Sequence, residues 1–177
     1  MQMRSDIQLT ALIRAMKDVV IPAIDPANRL AIEQSQLVLG MLALMQKQLP
    51  MQFRFDRDEL SRLLRTADRL AEACAAEPGL SETIRALADV QQPARQRFAA
   101  ATVDPSELYG DVVGLREAIG ALVTRAGDAA SPALMSQIER HVLDLSREQL
   151  LRDRALMAPQ GWEPGLPAVE TLLEAVR

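Results

Sequence analysis

The feature that most constrains this sequence is a helical spacing of apolar residues, interrupted by proline, aspartate and serine. Within each long segment the apolar residues recur three and four positions apart, which places them on one side of an α-helix. Between the segments stand Asp25-Pro26, Asp104-Pro105 and Ser131-Pro132. In such pairs a side-chain oxygen can cap a helix, and proline is tolerated in its first turn. Since no strand-like alternation persists, we expect an all-α fold.

The connections between the segments are short, and short connections make neighbouring helices antiparallel. We therefore expect an antiparallel up-and-down bundle of about six to seven helices, formed by a single domain over residues 1–177. Asp56 is expected to cap the third helix. Pro93 is expected to kink or break the fourth. A loop rich in proline and glycine, residues 158–167, should precede a short C-terminal helix.

The second predicted helix, residues 26–48, contains an unbroken apolar run from Leu37 to Met45. A helix that is apolar on most sides is buried on most sides, so we expect helix two to be the central helix of the bundle. The polar turn EQSQ, residues 33–36, precedes this run. It is either a partly solvated end of the bundle or the polar floor of an adaptable, methionine-lined pocket.

Few residues in the chain have side chains suited to catalysis or metal binding. The only histidine is His141, with Asp144 one turn later, and the only cysteine is Cys74, on the apolar side of the third helix. A ferritin-like site needs two Glu-x-x-His motifs and a c-type haem needs Cys-x-x-Cys-His, and the chain has neither. We expect no metal, no cofactor and no catalytic residue. An acid–base role for His141 and a nucleophilic role for Cys74 stay as weaker alternatives.

The charges argue against several classes of partner. Arg62, Arg65 and Arg69 form a row on helix three that could bind phosphate, but acidic residues interleave with them, which is typical of a solvated face. The net charge is −4, and aromatic residues make up 3% of the chain. Nucleic acid attracts clustered basic charge and stacks on aromatic rings, so we expect no nucleic-acid partner.

The sequence also predicts a soluble, cytoplasmic protein. The longest apolar run is much shorter than the roughly 20 residues of a membrane span. The N-terminal residues MQMRSDIQ lack the apolar core of a signal peptide. A single cysteine allows no internal disulfide.

The apolar pattern of the fifth helix favours a function in association. Its apolar residues from Leu108 to Leu122 alternate spacings of four and three, as in the seam of a coiled coil. Gly110 and Gly114 would let another helix approach closely, either a helix of the same chain or a helix of a second copy. We therefore expect a non-catalytic protein that acts through self-association, as a homodimer, or through a protein partner.

An alternative function is ligand binding: the bundle would bind a small apolar or acyl-type ligand in a cavity lined by helix two, as a binding protein or as an enzyme. Trp162 would then either anchor its loop or act as a lid or partner contact. The candidate ligand or partner residues are Glu33, Gln34, Gln36, Met41, Met45, His141 and Trp162.

Overall fold

The computed structural model describes residues 4–100 and 102–173, and over these residues the chain forms helices and no strand. The all-α prediction is confirmed; the antiparallel order of the helices stays a prediction. None of the described helices is long and apolar enough to cross a membrane.

The α-helices are α1 (Ser5–Ala15), α2 (Arg29–Gln48), α3 (Gln52–Cys74), α4 (Ser81–Ala99), α5 (Pro105–Ala129), α6 (Pro132–Met157) and α7 (Val169–Leu173).

Several helix boundaries differ from the prediction. Helix α2 begins at Arg29 rather than at residue 26, because Asn28 is its cap and accepts a hydrogen bond from the Ala31 amide over 3.1 Å. Asp25 instead accepts from the Ala27 amide in the preceding turn. Helix α3 begins at Gln52, so Asp56 lies inside it and does not cap it. Helix α5 begins at Pro105 after the cap Asp104, as predicted.

Helix α4 continues through Pro93, from Ser81 to Ala99, so the predicted break does not occur. Gln91 and Ala94 are buried on either side of the proline. Burial of this face keeps the helix in place although proline removes one backbone hydrogen bond.

The chain groups into two compact units. The first, called the N-terminal unit, comprises Met1–Gln52 and Arg154–Glu170, and the second, called the bundle unit, comprises Phe53–Asp153 and Thr171–Arg177. The single domain over residues 1–177 stays a prediction.

The bundle unit contains the main apolar core, to which α3, α4, α5 and α6 contribute. The apolar seam of α5 is buried inside this core, so it is not a surface for association and that part of the argument for a dimer was wrong. A Cβ atom added at Gly114 would lie 3.4 Å from Val90 Cγ1, which shows that this glycine packs against α4 within the chain. The core residues are Leu60, Leu63, Leu64, Ala67, Leu70, Cys74, Leu80, Leu87, Ala94, Leu108, Val112, Leu115, Ile119, Leu122, Ala126 and Ile138.

In the N-terminal unit α1 packs against α2, and Gln46 Nε2 donates to Thr10 Oγ1 over 2.7 Å. Helix α2 also contacts the chain that follows Asp153, where Gln48 Nε2 donates to the Leu156 carbonyl over 3.3 Å. Yet Leu44 is its only buried residue. The prediction that helix two is the central, buried helix was therefore wrong: its apolar residues surround the helix, but the unit covers only part of its circumference.

Candidate association surface

One side of α2 departs from ordinary burial. Five large apolar side chains there are between 46% and 68% exposed. At about 100° per residue their spacing places them, with Gln34, on one side of the helix over about 22 Å. We call this set the apolar strip. It consists of Leu30, Gln34, Leu37, Val38, Met41 and Met45.

The apolar strip carries no charge. The charged residues of α2 are Arg29, Glu33 and Lys47, and their positions fall outside the strip. Gln34 lies near its midline, is exposed, and has no side-chain hydrogen bond within the part of the chain that the structure describes. The strip is thus an apolar surface with one amide at its centre.

The polar turn before the apolar run does not form a pocket floor. Glu33, Gln34 and Gln36 are all exposed, and Gln36 lies on the far side of the helix from Gln34. Ser35 is half-buried, and its Oγ donates to the Ala31 carbonyl of its own helix over 2.7 Å. These groups do not converge on one point, as the polar groups of a ligand site do.

Helix α1 and the π-helical segment that follows it, Met16–Val20, also expose apolar residues. Ile7, Leu12, Val19 and Val20 are between 43% and 65% exposed. A shallow hollow of about 570 Å³ lies along this side, between Ile7 and Val19. Exposed apolar surface of this extent usually marks an interaction site. The N-terminal unit, rather than α5, is where the chain offers such surface.

Trp162 does not anchor its loop, because its side chain is 75% exposed. The loop is held instead by an ion pair between Arg154 and Glu163, with Nε 2.9 Å from Oε2, and by a turn at Gly161, where φ is 75°. An exposed tryptophan is suited to contacting a partner. A role as a lid or a partner contact stays a prediction.

His141 lies in the bundle unit at a cleft of about 560 Å³ between α3 and α6. Asp144 and Gln137 line the same cleft, as their helical spacing suggests, together with Arg69 and Arg140. Cys74 does not line it, and burial raises the pKa of the Cys74 thiol. The structure therefore does not bring the histidine and the cysteine together as a base and a nucleophile.

Sequence reasoning missed a buried charge network in the bundle unit. Arg62, predicted to lie on a solvated face, is 1% exposed. Its Nε donates to Asp58 Oδ2 over 2.9 Å, and its Nη2 donates to Gln149 Oε1 over 2.8 Å. Arg152 Nε lies 2.6 Å from the same Asp58 oxygen. The i, i+4 spacing of Asp58 and Arg62 was visible in the sequence, but their burial was not.

Glu59 lies beside this network and pairs with Arg116. Burial raises the pKa of the Glu59 carboxyl above its ordinary value of 4.5, although the Arg116 guanidinium acts in the opposite direction. Both residues line a cleft of about 320 Å³ that also contains Asp153. The acidic and basic groups here pair with one another, as in a structural network. Among the described residues no group of three or more metal-ligating side chains could hold a metal ion.

Comparison of the chain with protein-family models, with curated proteins and with solved structures finds no match.

Proposed function

We propose that this protein is not an enzyme but acts through association, and that the apolar strip of α2 is the contact surface between two copies of the chain. The observation that carries the proposal is the exposure of five large apolar residues along one side of α2. Burying an exposed leucine or methionine contributes about 1–2 kcal/mol, so covering the whole strip would support a stable contact.

The chemistry of the strip favours a protein surface over a membrane. Helices that lie in a membrane interface have an apolar side and a polar side rich in Lys and Arg. Helix α2 has Arg29 and Lys47 as its only basic residues, and the net charge of the chain is −4. Attraction to anionic lipids would therefore be weak.

The strip is also suited to pairing with itself. In a two-fold contact the same patch lies on both sides of the interface, so any charge in the patch tends to meet a like charge. The apolar strip has none. Its one polar group, the Gln34 amide, can both donate and accept hydrogen bonds. A second copy therefore meets every chemical requirement of the surface.

Sedimentation velocity at micromolar concentration tests the proposal. The wild-type chain should sediment as a dimer, at twice the 19.5 kDa of one chain. Met41→Asp places a charge in the strip and should give a folded monomer, with folding checked by circular dichroism. Gln36→Asp is the matched control, since it adds the same charge to an exposed position on the far side of α2, and it should remain a dimer.

Two results would reject the proposal. One is a wild-type chain that stays monomeric up to roughly 100 µM, about a hundred times a 1 µM dissociation constant. The other is a Met41→Asp variant that dimerises as tightly as the Gln36→Asp control.

A second candidate function is binding of an acyl-type ligand, because the N-terminal unit has a cleft of about 360 Å³ beside the end of α2. Its walls are mainly apolar, with Met51, Leu156 and Val169 among the lining residues, and Lys47 and Glu170 also line it. The Lys47 amine could bind a carboxylate at the end of an apolar tail. Native mass spectrometry of the purified chain, alone and with millimolar decanoate, tests this candidate. It is rejected if no added mass appears in either sample.

A further inference from the structure

We infer that Gln34 of one copy pairs with Gln34 of a second copy, and that this pair fixes a parallel, in-register contact between the two α2 helices. This inference rests on the proposed function, since it needs the apolar strip to be the dimer contact. It adds a residue that determines specificity and the relative direction of the two α2 helices. Neither follows from apolar burial alone.

Gln34 is the one polar residue of the apolar strip. It lies near the midline of the strip, between Leu30 and the Leu37–Val38 pair, and no described residue of its own chain bonds to its side chain. When the strip is covered, the Gln34 amide loses water and must find a partner, because a buried polar group without a hydrogen bond is unfavourable. A second Gln34 supplies both a donor and an acceptor.

The full length of the strip can be covered in two ways. In a parallel, in-register pair each residue faces its own copy, so Gln34 faces Gln34 and Met41 faces Met41. In an antiparallel pair centred on the strip, Leu30 faces Met45, and Gln34 faces Met41. The antiparallel pair therefore sets the amide against an apolar thioether, which accepts hydrogen bonds only weakly.

An antiparallel pair could bring the two Gln34 residues together only by sliding. The overlap would then be centred on Gln34 and would run from Leu30 to Val38, leaving Met41 and Met45 uncovered. The parallel arrangement is thus the one that both pairs the amides and covers the whole strip. Single polar residues inside apolar helix seams set register and oligomeric state in the same way.

The parallel arrangement also opposes no like charges. Opposite flanks of the two helices meet when they run parallel, so Glu33 of one copy faces the side of the other that carries Ala31 and Ser35. Both of these are uncharged, and Ser35 already donates to the Ala31 carbonyl within its own helix.

Disulfide trapping tests the pairing on the full chain. Gln34→Cys and Gln36→Cys are matched variants, since each replaces an exposed glutamine of α2 by cysteine. Cys74 is buried, so the wild-type chain serves as the blank. Under mild oxidation at micromolar concentration, Gln34→Cys should form covalent dimer at least about ten times faster than Gln36→Cys. A denaturing, non-reducing gel gives both rates.

A mixture of Leu30→Cys and Met45→Cys chains, one of them carrying an affinity tag, reports whether the two helices run parallel or antiparallel. A parallel pair gives Leu30–Leu30 and Met45–Met45 disulfides, whereas the antiparallel pair centred on the strip crosslinks the two different chains. Predominant mixed dimers, or equal rates for Gln34→Cys and Gln36→Cys, would overturn the inference while leaving a sedimenting dimer, and so the proposed function, intact. A wild-type monomer would overturn both.

Discussion

Arg62 donates a hydrogen bond from Nε to Oδ2 of Asp58 over 2.9 Å, and both side chains are almost completely buried. Arg152 Nε lies 2.6 Å from the same oxygen, with its side chain 11% exposed. One carboxylate thus holds two guanidinium groups within the bundle unit. The Arg62 Nη1 atom is buried without a hydrogen-bond partner, so this cation depends strongly on its contacts with Asp58 and Gln149.

The first prediction is that Asp58→Asn destabilises the protein by about 3–5 kcal/mol, because it leaves buried positive charge without its counter-ion. Chemical denaturation in urea measures the loss. Asp144→Asn is the matched control, since Asp144 pairs with Arg147 at 3.5 Å on the exposed surface, and it should cost less than about 1 kcal/mol. Equal losses for the two variants would mean that the buried network contributes no more than a surface pair.

The second prediction concerns pH. Burial raises the pKa of Glu59 above 4.5, so the folded chain holds this proton more tightly than the unfolded chain does. The contribution of Glu59 to stability is therefore greatest below pH 4.5. It falls as pH rises from 4.5 through the folded-state pKa.

Urea denaturation of wild type and Glu59→Gln between pH 4 and pH 8 measures this effect. The free energy of unfolding of wild type, minus that of the variant, should fall as pH rises. Glu117→Gln, at an exposed position of α5, is the control and should not reproduce this trend. A difference that rises with pH would show that pairing with Arg116 outweighs burial.

The helical spacing and the capping pairs were enough to predict that the bundle unit is built from helices. The start of α5 at Pro105 and its buried seam follow from local rules, in which a cap oxygen accepts backbone amides and a stripe of apolar residues faces the core. The Asp58–Arg62 spacing was visible as well. Its burial was not, because Arg152 lies 90 residues away in sequence and sequence spacing does not report long-range packing.

For helix α2 the error was the reverse, since apolar residues predicted to be buried are exposed. Its apolar residues surround the helix, and such a pattern usually means burial on all sides. The structure buries Leu44 and leaves Leu37 and Met41 exposed. An apolar residue that another chain will cover has the same sequence signature as one buried in its own core. The candidate residues Gln34, Met41 and Met45 could therefore be picked out from the sequence, but not their exposure.

The third prediction concerns two glycines of α5. Gly120→Ala should stabilise the protein by about 1 kcal/mol, since alanine favours the helix over glycine by about that amount and no atom lies within 4 Å of the added Cβ. Gly114→Ala should raise the free energy of unfolding by less, because its Cβ would lie 3.4 Å from Val90 Cγ1. Thermal and urea denaturation rank the two variants. The reverse order would show that α4 and α5 adjust readily at Gly114.

The last prediction separates the stability of the chain from the specificity of its contact. Gln34 is exposed and has no side-chain hydrogen bond to a described residue, so Gln34→Leu should change the unfolding free energy of the dilute, dissociated chain by less than about 0.5 kcal/mol. In the associated state a leucine is buried instead of an amide. This adds about 1–2 kcal/mol to the free energy of association and should tighten association roughly tenfold.

The Gln34→Leu change also removes the paired amides that fix the register, so higher oligomers should appear beside the dimer. Sedimentation equilibrium from nanomolar to micromolar concentration measures both effects, and Gln36→Leu, on the far side of α2, should show neither. Weaker association of Gln34→Leu would mean that the amide strengthens the contact rather than specifying it.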